Sequence, residues 1–224
     1  MRNRYHDLLQ RYHSEILAVC PYYPALLTVA AAEFARLWKP GYSVLELGCG
    51  EGHTALPLLK ATEARVALLD VSGLMIVRCQ DALRQFNQRT QFIQADAYDY
   101  LRRARSHRII YTGWTLHNFT QKARERLLRT IHANLTPGGT FMLMDKVYPG
   151  SGTSTLLERQ LARYRYLPPD VRRAIVAHER EDARDTYRMD ERPLRELLKR
   201  VGFVDITVHD RVERDIVLTA RKRR

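Results

Sequence analysis

The sequence predicts an α/β fold: a doubly wound, mostly parallel sheet of seven strands, with helices on both faces and an added helical cap. Three observations predict it. Residues 44 to 54, Val-Leu-Glu-Leu-Gly-Cys-Gly-Glu-Gly-His-Thr, run a short apolar strand into a glycine-rich turn. From there to residue 145, strand-like and helix-like segments alternate, which implies parallel pairing through crossover helices. Two alternating apolar runs near the end, 204–208 and 216–220, suit a closing hairpin.

The elements follow in order. Tyr5 to Trp38 carries apolar residues at helical spacing: Leu8, Leu9, Tyr12, Ile16 and Leu17, then Leu26, Leu27, Val29, Ala30, Phe34 and Leu37. Cys20-Pro21-Tyr22-Tyr23-Pro24 interrupts the pattern, so two helices flanking an aromatic hinge are expected. After Pro40-Gly41 comes the first strand, whose Val44, Leu45 and Leu47 suit burial on both faces. A helix over 54–61, a strand over 65–69 ending at Asp70, a helix over 74–86, a strand over 91–95 ending at Asp96, and a strand over 108–111 continue the alternation. An amphipathic helix over 121–135 stops at Thr136-Pro137-Gly138-Gly139, a turn leading into an interior strand over 140–145. Residues 153–184 read as one or two arginine-rich helices interrupted at Pro168-Pro169, an excursion assigned to the cap. A last helix over 191–200 ends at Gly202, before the hairpin.

At 224 residues the chain suits one domain over 1–224, with the cap drawn from 1–38 and 150–188. No apolar run approaches the roughly 18 residues that would span a bilayer, and the first residues lead into no signal-peptide core. Cys20, Cys49 and Cys79 form no Cys-x-x-Cys pair, so neither a metal centre nor a disulfide framework is expected, and a cytoplasmic protein fits. The formal charge of +12 is mainly arginine, dense at Arg102, Arg103 and Arg105, at Arg163, Arg165, Arg172 and Arg173, and at the 222–224 terminus. Such a balance favours polyanions, and an arginine-rich solvated surface accounts for it equally well.

In an open α/β sheet a ligand sits outside the carboxyl ends of the strands. Gly48, Gly50 and Gly52 permit positive φ and close backbone approach there. A dinucleotide fingerprint wants a third glycine where His53 stands, and Glu46, two places before the first glycine, points away from a pyrophosphate. Asp70, about 20 residues after the turn, can accept two ribose hydroxyls. Asp96 and Ala97 are placed to read an adenine amino group; a solvated strand-end aspartate is the plain alternative for each acid.

Glu46-Leu47-Gly48-Cys49-Gly50 resembles the first motif of class I S-adenosylmethionine-dependent methyltransferases. Tyr111 to Phe119 resembles their fourth motif, and Pro137-Gly138-Gly139 the turn before strand five, so the resemblance covers roughly 40–146. It implies a Rossmann-like methyltransferase fold with S-adenosylmethionine as cofactor. Glu46, Gly48, Cys49 and Gly50 would surround the methionine moiety and Asp70 the ribose. Asp96 and Ala97 would face the adenine, and Thr112 with Gly113 the methyl-bearing side; Val71, Met75 and Trp114 complete that binding set. Trp114 also reads as a core aromatic, and His117, the one candidate base of the segment, as a satisfied helix-start histidine. The flanks, with Pro21-Tyr22-Tyr23, Thr115-Leu116 and Asp145-Lys146, are similar to the carboxy-S-adenosylmethionine synthases of bacterial tRNA wobble-uridine modification. That likeness implies a cofactor-facing tyrosine at Tyr23 and a catalytic arginine at Arg180, one residue ambiguous; where those enzymes end strand four in asparagine, this chain has Gly113.

Three functions follow as expectations. The first is methyl transfer to a small molecule or a tRNA nucleoside. The second keeps the cofactor and transforms S-adenosylmethionine itself, by carboxylation or by cyclisation to azetidine-2-carboxylate with release of methylthioadenosine. The third is a non-catalytic module that holds nucleic acid on its basic face.

Overall fold

The computed structural model describes residues 22–103 and 106–224. The expected helix before the hinge, with Cys20 and Pro21, and Arg105 lie outside the described residues. Eight α-helices are described: α1 (Tyr23–Leu37), α2 (Ala55–Ala61), α3 (Gly73–Ala82), α4 (Ala97–Arg103), α5 (Gln121–Asn134), α6 (Thr153–Arg163), α7 (Pro169–Asp182) and α8 (Glu191–Val201). The strands are β1 (Val44–Leu47), β2 (Val66–Asp70), β3 (Thr90–Gln94), β4 (His107–Gly113), β5 (Leu135–Lys146), β6 (Phe203–Val212) and β7 (Asp215–Lys222). They form one sheet in the order β3-β2-β1-β4-β5-β7-β6. The first five strands pair in parallel, while β7 runs antiparallel to both β5 and β6, as the terminal hairpin requires.

Alternation along the interior strands feeds two cores. Val44, Val66, Leu68, Ile109, Tyr111, Met142, Met144 and Val217 face Leu26, Ala30 and Phe34 of α1, Leu58 and Leu59 of α2, and Ile76 and Cys79 of α3. On the other face Leu45, Leu47, Leu69, Ile110, Phe141, Leu143 and Leu218 meet Leu101 of α4, Leu127, Leu128 and Ile131 of α5, and Leu194 and Leu198 of α8. Each fully buried leucine or phenylalanine contributes roughly 1.5–3 kcal/mol relative to exposure, so the two layers hold the strand ends firmly. Helices α6 and α7 keep a small core of their own, Tyr164, Leu167, Val171 and Ile175, outside the three layers. None of the described helices is long and apolar enough to cross a membrane.

The structure departs from the sequence reading in three places. Helix α4, unread in the sequence, starts where Asp96 Oδ1 accepts the N–H of Tyr98 at 2.8 Å and of Asp99 at 3.3 Å, an N-cap that the Asp96-x-x-Asp99 spacing could have signalled. The helix expected over 74–86 stops at Ala82 and gives way to a 3-10 segment, Arg84–Arg89. Most consequentially, Pro137-Gly138-Gly139 is no turn ahead of the fifth strand. Leu135 already pairs with His107 and Thr140 with Ile109, so residues 136–139 bulge opposite Arg108 within one long strand. A side chain at Gly139 would meet the Thr136 carbonyl oxygen at 2.8 Å, which explains the glycine inside the bulge.

Candidate functional site

The glycine turn leaves the carboxyl end of β1 with Gly48, Gly50 and Gly52 all at positive φ. Two N–H groups of the turn, Gly48 and Cys49, donate to the Leu69 carbonyl at the end of β2, at 2.7 and 3.0 Å, tying the loop to the neighbouring strand. At Gly48 a Cβ would lie 2.5 Å from the Thr115 side chain, so the residue is glycine for lack of room as well as for φ. At Gly50 a Cβ would meet nothing within 4 Å among the described residues, so this side of the turn is open. Asp70 faces it: Oδ2 accepts the Gly50 N–H at 3.0 Å and Oδ1 the Ser72 N–H at 2.9 Å. Burial pushes the Asp70 carboxyl up, against the pull of those two donors.

Beneath the turn, Glu46 is fully buried. One of its oxygens accepts the Thr54 hydroxyl. The other has no partner among the described residues, nor does the fully buried Tyr111 hydroxyl. Burial pushes the Glu46 carboxyl up to about 8, with Asp70 adding to the rise and Thr54 opposing it. A buried acid with an idle oxygen beside an open glycine loop has an acceptor to offer a cationic or hydrogen-bond-donating group. Cys49 lines the same turn, its thiol raised by the neighbouring Cys79 thiol and by burial, which makes it an apolar filler rather than a nucleophile. Met75 is buried beside Ser72, whose hydroxyl caps α3, while Val71 is 43% exposed, an apolar surface next to Asp70.

The segment after β4 is organised by Asp145, fully buried at the end of β5. Its Oδ2 accepts the N–H groups of Thr115, Leu116 and His117 at 3.1, 2.7 and 3.3 Å. Its Oδ1 meets His117 Nδ1 at 2.6 Å and the Lys146 N–H at 2.8 Å. Thr115 in turn donates its hydroxyl to the Gly48 carbonyl at 3.1 Å, linking this segment to the glycine turn. Trp114 takes φ +44, a left-handed conformation uncommon for a large side chain. Three contacts hold it there: its N–H donates to the Met144 carbonyl at 2.7 Å, its indole N–H to Asp215 Oδ1 at 2.9 Å, and its ring stacks on Tyr23 with centroids 4.5 Å apart.

The cap closes against this edge through charge. Arg163 of α6 grips Glu213 with both terminal nitrogens, at 2.8 and 2.6 Å, and lies over the Tyr22 ring. The Lys146 ammonium meets Asp182 Oδ2 at 2.8 Å and Glu179 Oε1 at 3.2 Å, and Arg214 reaches Glu179 Oε2 at 2.5 Å. Burial alone would raise the Glu179 and Asp182 carboxyls. Arg214 and Lys146 outweigh it at Glu179, and Lys146 and His117 at Asp182, holding both well below the usual carboxylate range.

The sequence candidates fall into three groups. Glu46, Gly48, Cys49, Gly50, Asp70, Val71 and Met75 gather at the glycine turn, and Tyr23, Gly113 and Trp114 at the end of β4. Asp96 and Ala97 stand at the end of β3, half-buried, with Asp96 serving α4 as its cap. Two candidates need correcting. Thr112 is fully buried on the same face of β4 as Ile110, away from Gly113. Arg180 is exposed on α7, because the helical period turns Glu179 and Asp182 inward in its place; the arginines that do reach this edge are Arg163 and Arg214. His117 is buried and held by Asp145, the plainer of its two readings. Sequence reasoning missed Glu179, Asp182, His178, Arg214 and Asp215. The His178-x-x-x-Asp182 spacing, which puts both on one helical face, was the available signal. At Gly113 a Cβ would lie 2.6 Å from Thr54 Cγ2 and 3.0 Å from the Tyr111 hydroxyl, so asparagine has no space at that position here. A cavity of about 710 Å³ opens at the amino ends of the strands, by Trp38, Tyr42 and His107, the wrong end of the sheet for a ligand of the glycine turn.

Known proteins are similar to this chain in sequence and in fold. Residues 44–139 match the family described as methyltransferase domain. Carboxy-S-adenosyl-L-methionine synthase of Shewanella oneidensis is 26% identical over 132 residues, covering 57% of this chain and 54% of that protein. The Yersinia pestis synthase is 25% identical over 131 residues, covering 56% and 48%. The chain thus spans about half the length of the curated relatives it matches. Among solved structures, the plantazolicin methyltransferase BpumL in complex with SAH superposes with a TM-score of 0.70 at 13% identity, over 100% of this chain and 92% of that one. An O-methyltransferase family protein from Burkholderia thailandensis does so with a TM-score of 0.69 at 12% identity, over 98% and 61%. The strand order and the structural likenesses give the chain the Rossmann-like fold of S-adenosylmethionine-dependent methyltransferases, and residues 44–139, with the glycine turn, are similar to the methyltransferase domain family.

Proposed function

We propose that the chain catalyses methyl transfer from S-adenosylmethionine to a small molecule or a tRNA nucleoside, as a single domain acting in the cytoplasm. The observation that carries this reading is the pair of acids flanking the open glycine turn. Glu46 keeps one buried oxygen without a partner among the described residues and suits an ammonium group; Asp70, fixed by the Gly50 and Ser72 N–H groups, suits a ribose diol. Val71 offers an apolar face for an adenine beside Asp96 and Ala97.

When bound, the cofactor supplies a methyl group already activated for displacement, so the protein's part is alignment and exclusion of water. Tyr23 and Trp114 form an aromatic wall on the α1 side, and an aromatic face beside a desolvated cation contributes on the order of 1 to 2 kcal/mol. His117, engaged by Asp145, orients the segment after β4, and we assign it no proton transfer. Exposed Arg172, Arg173 and Arg180 on α7 supply the charge an RNA acceptor needs. Calorimetry with S-adenosylhomocysteine tests the reading: Asp70→Ala weakens binding at least tenfold, and unchanged affinity refutes it. A gel shift with bulk tRNA separates the acceptor classes, since no complex at low salt removes the RNA.

The synthase names of the curated relatives favour a second reading, in which S-adenosylmethionine itself is transformed. Incubation with S-adenosylmethionine alone, resolved by mass spectrometry, separates the two. Methylthioadenosine indicates cyclisation, and S-adenosylhomocysteine formed only with an acceptor supports transfer.

A further inference from the structure

We propose that His117, His178 and Asp182 form a binding site for a divalent transition-metal ion of the zinc class, which clamps cap helix α7 onto the segment after β4. One donor atom from each of the three lies within 4.8 Å of the others. His178 and Asp182 stand one turn apart on the inner face of α7, and His178 Nε2 is 3.1 Å from Asp182 Oδ2. His117 Nε2 approaches the same oxygen at 3.9 Å from the other side. Donors around a tetrahedral zinc ion, each about 2.0–2.1 Å from it, are about 3.3 Å apart. The two measured separations bracket that spacing, so small side-chain adjustments complete the cage.

Three further features belong to a metal site. First, His117 gives Nδ1 to Asp145 at 2.6 Å, which fixes the ring and leaves Nε2 as the coordinating nitrogen. A carboxylate behind a histidine in this way orients the ligand and raises its basicity. Second, Asp182 is 3% exposed, and its Oδ1 has no hydrogen-bond partner among the described residues. A carboxylate so deeply buried and so little hydrogen-bonded depends on cations beside it, and both histidine nitrogens face its other oxygen, Oδ2. Third, the buried carboxylates Asp145, Glu179, Asp182 and Asp215 lie close together in this layer, with Lys146, Arg214 and Arg124 among their cationic neighbours. Two imidazoles and one carboxylate suit zinc and its neighbours rather than calcium or magnesium.

Lys146 is the competitor, because its ammonium already lies 2.8 Å from Asp182 Oδ2. It has an alternative partner in Glu179 Oε1 at 3.2 Å, so a metal ion displaces it without stranding the charge. Its removal therefore tightens the site.

The test uses the full chain, stripped with a chelator, loaded with zinc chloride, dialysed, and measured for zinc by elemental mass spectrometry. Cobalt chloride serves as a coloured probe of tetrahedral geometry. The wild type retains about one zinc per chain, and its cobalt form shows tetrahedral d–d absorption. His178→Gln and Asp182→Asn bind roughly 10- to 100-fold more weakly, with circular dichroism unchanged. Lys146→Met binds more tightly, a gain that misfolding cannot produce. His209→Gln, altered at a ring bonded to Thr219 away from this cluster, retains the metal. The proposal is overturned if the wild type holds no more zinc than His178→Gln, or if His209→Gln loses as much. None of these readouts depends on the reaction catalysed.

Discussion

Replacing Asp145 by asparagine changes one atom at the hub of the site. The carboxylate accepts three backbone N–H groups on one oxygen, and His117 Nδ1 and the Lys146 N–H on the other. An amide keeps a single acceptor oxygen. Its least harmful orientation leaves that oxygen on the three N–H groups and turns its NH2 toward His117 and Lys146. His117 can adapt by exchanging tautomers, but the Lys146 N–H cannot, and one buried donor left unpaired costs about 1–3 kcal/mol. Loss of charge assistance on the three remaining bonds adds roughly 2 kcal/mol, since charged acceptors are about twice as strong as neutral ones. The sum, about 4 kcal/mol, is a large part of a typical stability of roughly 5–15 kcal/mol. In a chain of this size it lowers Tm by about 8–16 °C. Urea and thermal melts of wild type, Asp145→Asn and Asp145→Ala measure it, with Asp145→Ala the most damaged. Because Thr115 also bonds the Gly48 carbonyl, calorimetry shows weaker S-adenosylhomocysteine binding in both variants. An Asp145→Asn protein within about 1 kcal/mol of wild type refutes the view of Asp145 as the organising acceptor.

Gly48→Ala destabilises by about 2–4 kcal/mol, combining left-handed backbone strain with a clash against Thr115, whereas Gly50→Ala carries only the backbone part of about 1–2 kcal/mol; equal urea midpoints for the two would contradict this. Glu46 is neutral in both states below about pH 4.5. Between there and about pH 8 the unfolded chain ionises while the folded one keeps its proton, so this contribution to stability is lost as pH rises through that window. Glu46→Gln flattens that decline, and parallel slopes of Tm against pH for the two proteins would show the argument wrong. Arg214→Met strands the buried Glu179 carboxylate and lowers stability by about 3–5 kcal/mol, and adding Glu179→Leu recovers most of it. A double variant as unstable as the sum of its parts would mean that the pair is not coupled.

Much of the sheet was legible because its signals are local. Val44 to Leu47 running into alternate glycines, and Asp70 closing an apolar run, each encode an element within a dozen residues. The bulge at 136–139 was misread as a turn because its cause is distant: the Thr136 and Arg108 carbonyls that exclude a side chain at Gly139. The cap's chemistry was hidden for the same reason. Glu179 and Asp182 look like solvated helix charges until Lys146 and Arg214 arrive from β5 and from beside β7. Arg180, chosen by position in a likeness, failed because one residue along a helix is a rotation of about 100°. The hydrogen bond from Trp114 to Asp215 spans 101 residues, beyond any spacing rule.

That bond makes Trp114 an optical gauge. The chain has two tryptophans, so Trp38→Phe leaves Trp114 as the sole indole emitter. Its left-handed backbone, a conformation that costs about 1–3 kcal/mol, is held by three separate stretches of chain through Tyr23, Met144 and Asp215. Loosening any one of the three lets the indole leave a stacked, hydrogen-bonded niche for water, shifting its emission to the red. The fluorescence of that single ring therefore reports, without a label, any change in the contacts that hold Trp114 at the end of β4.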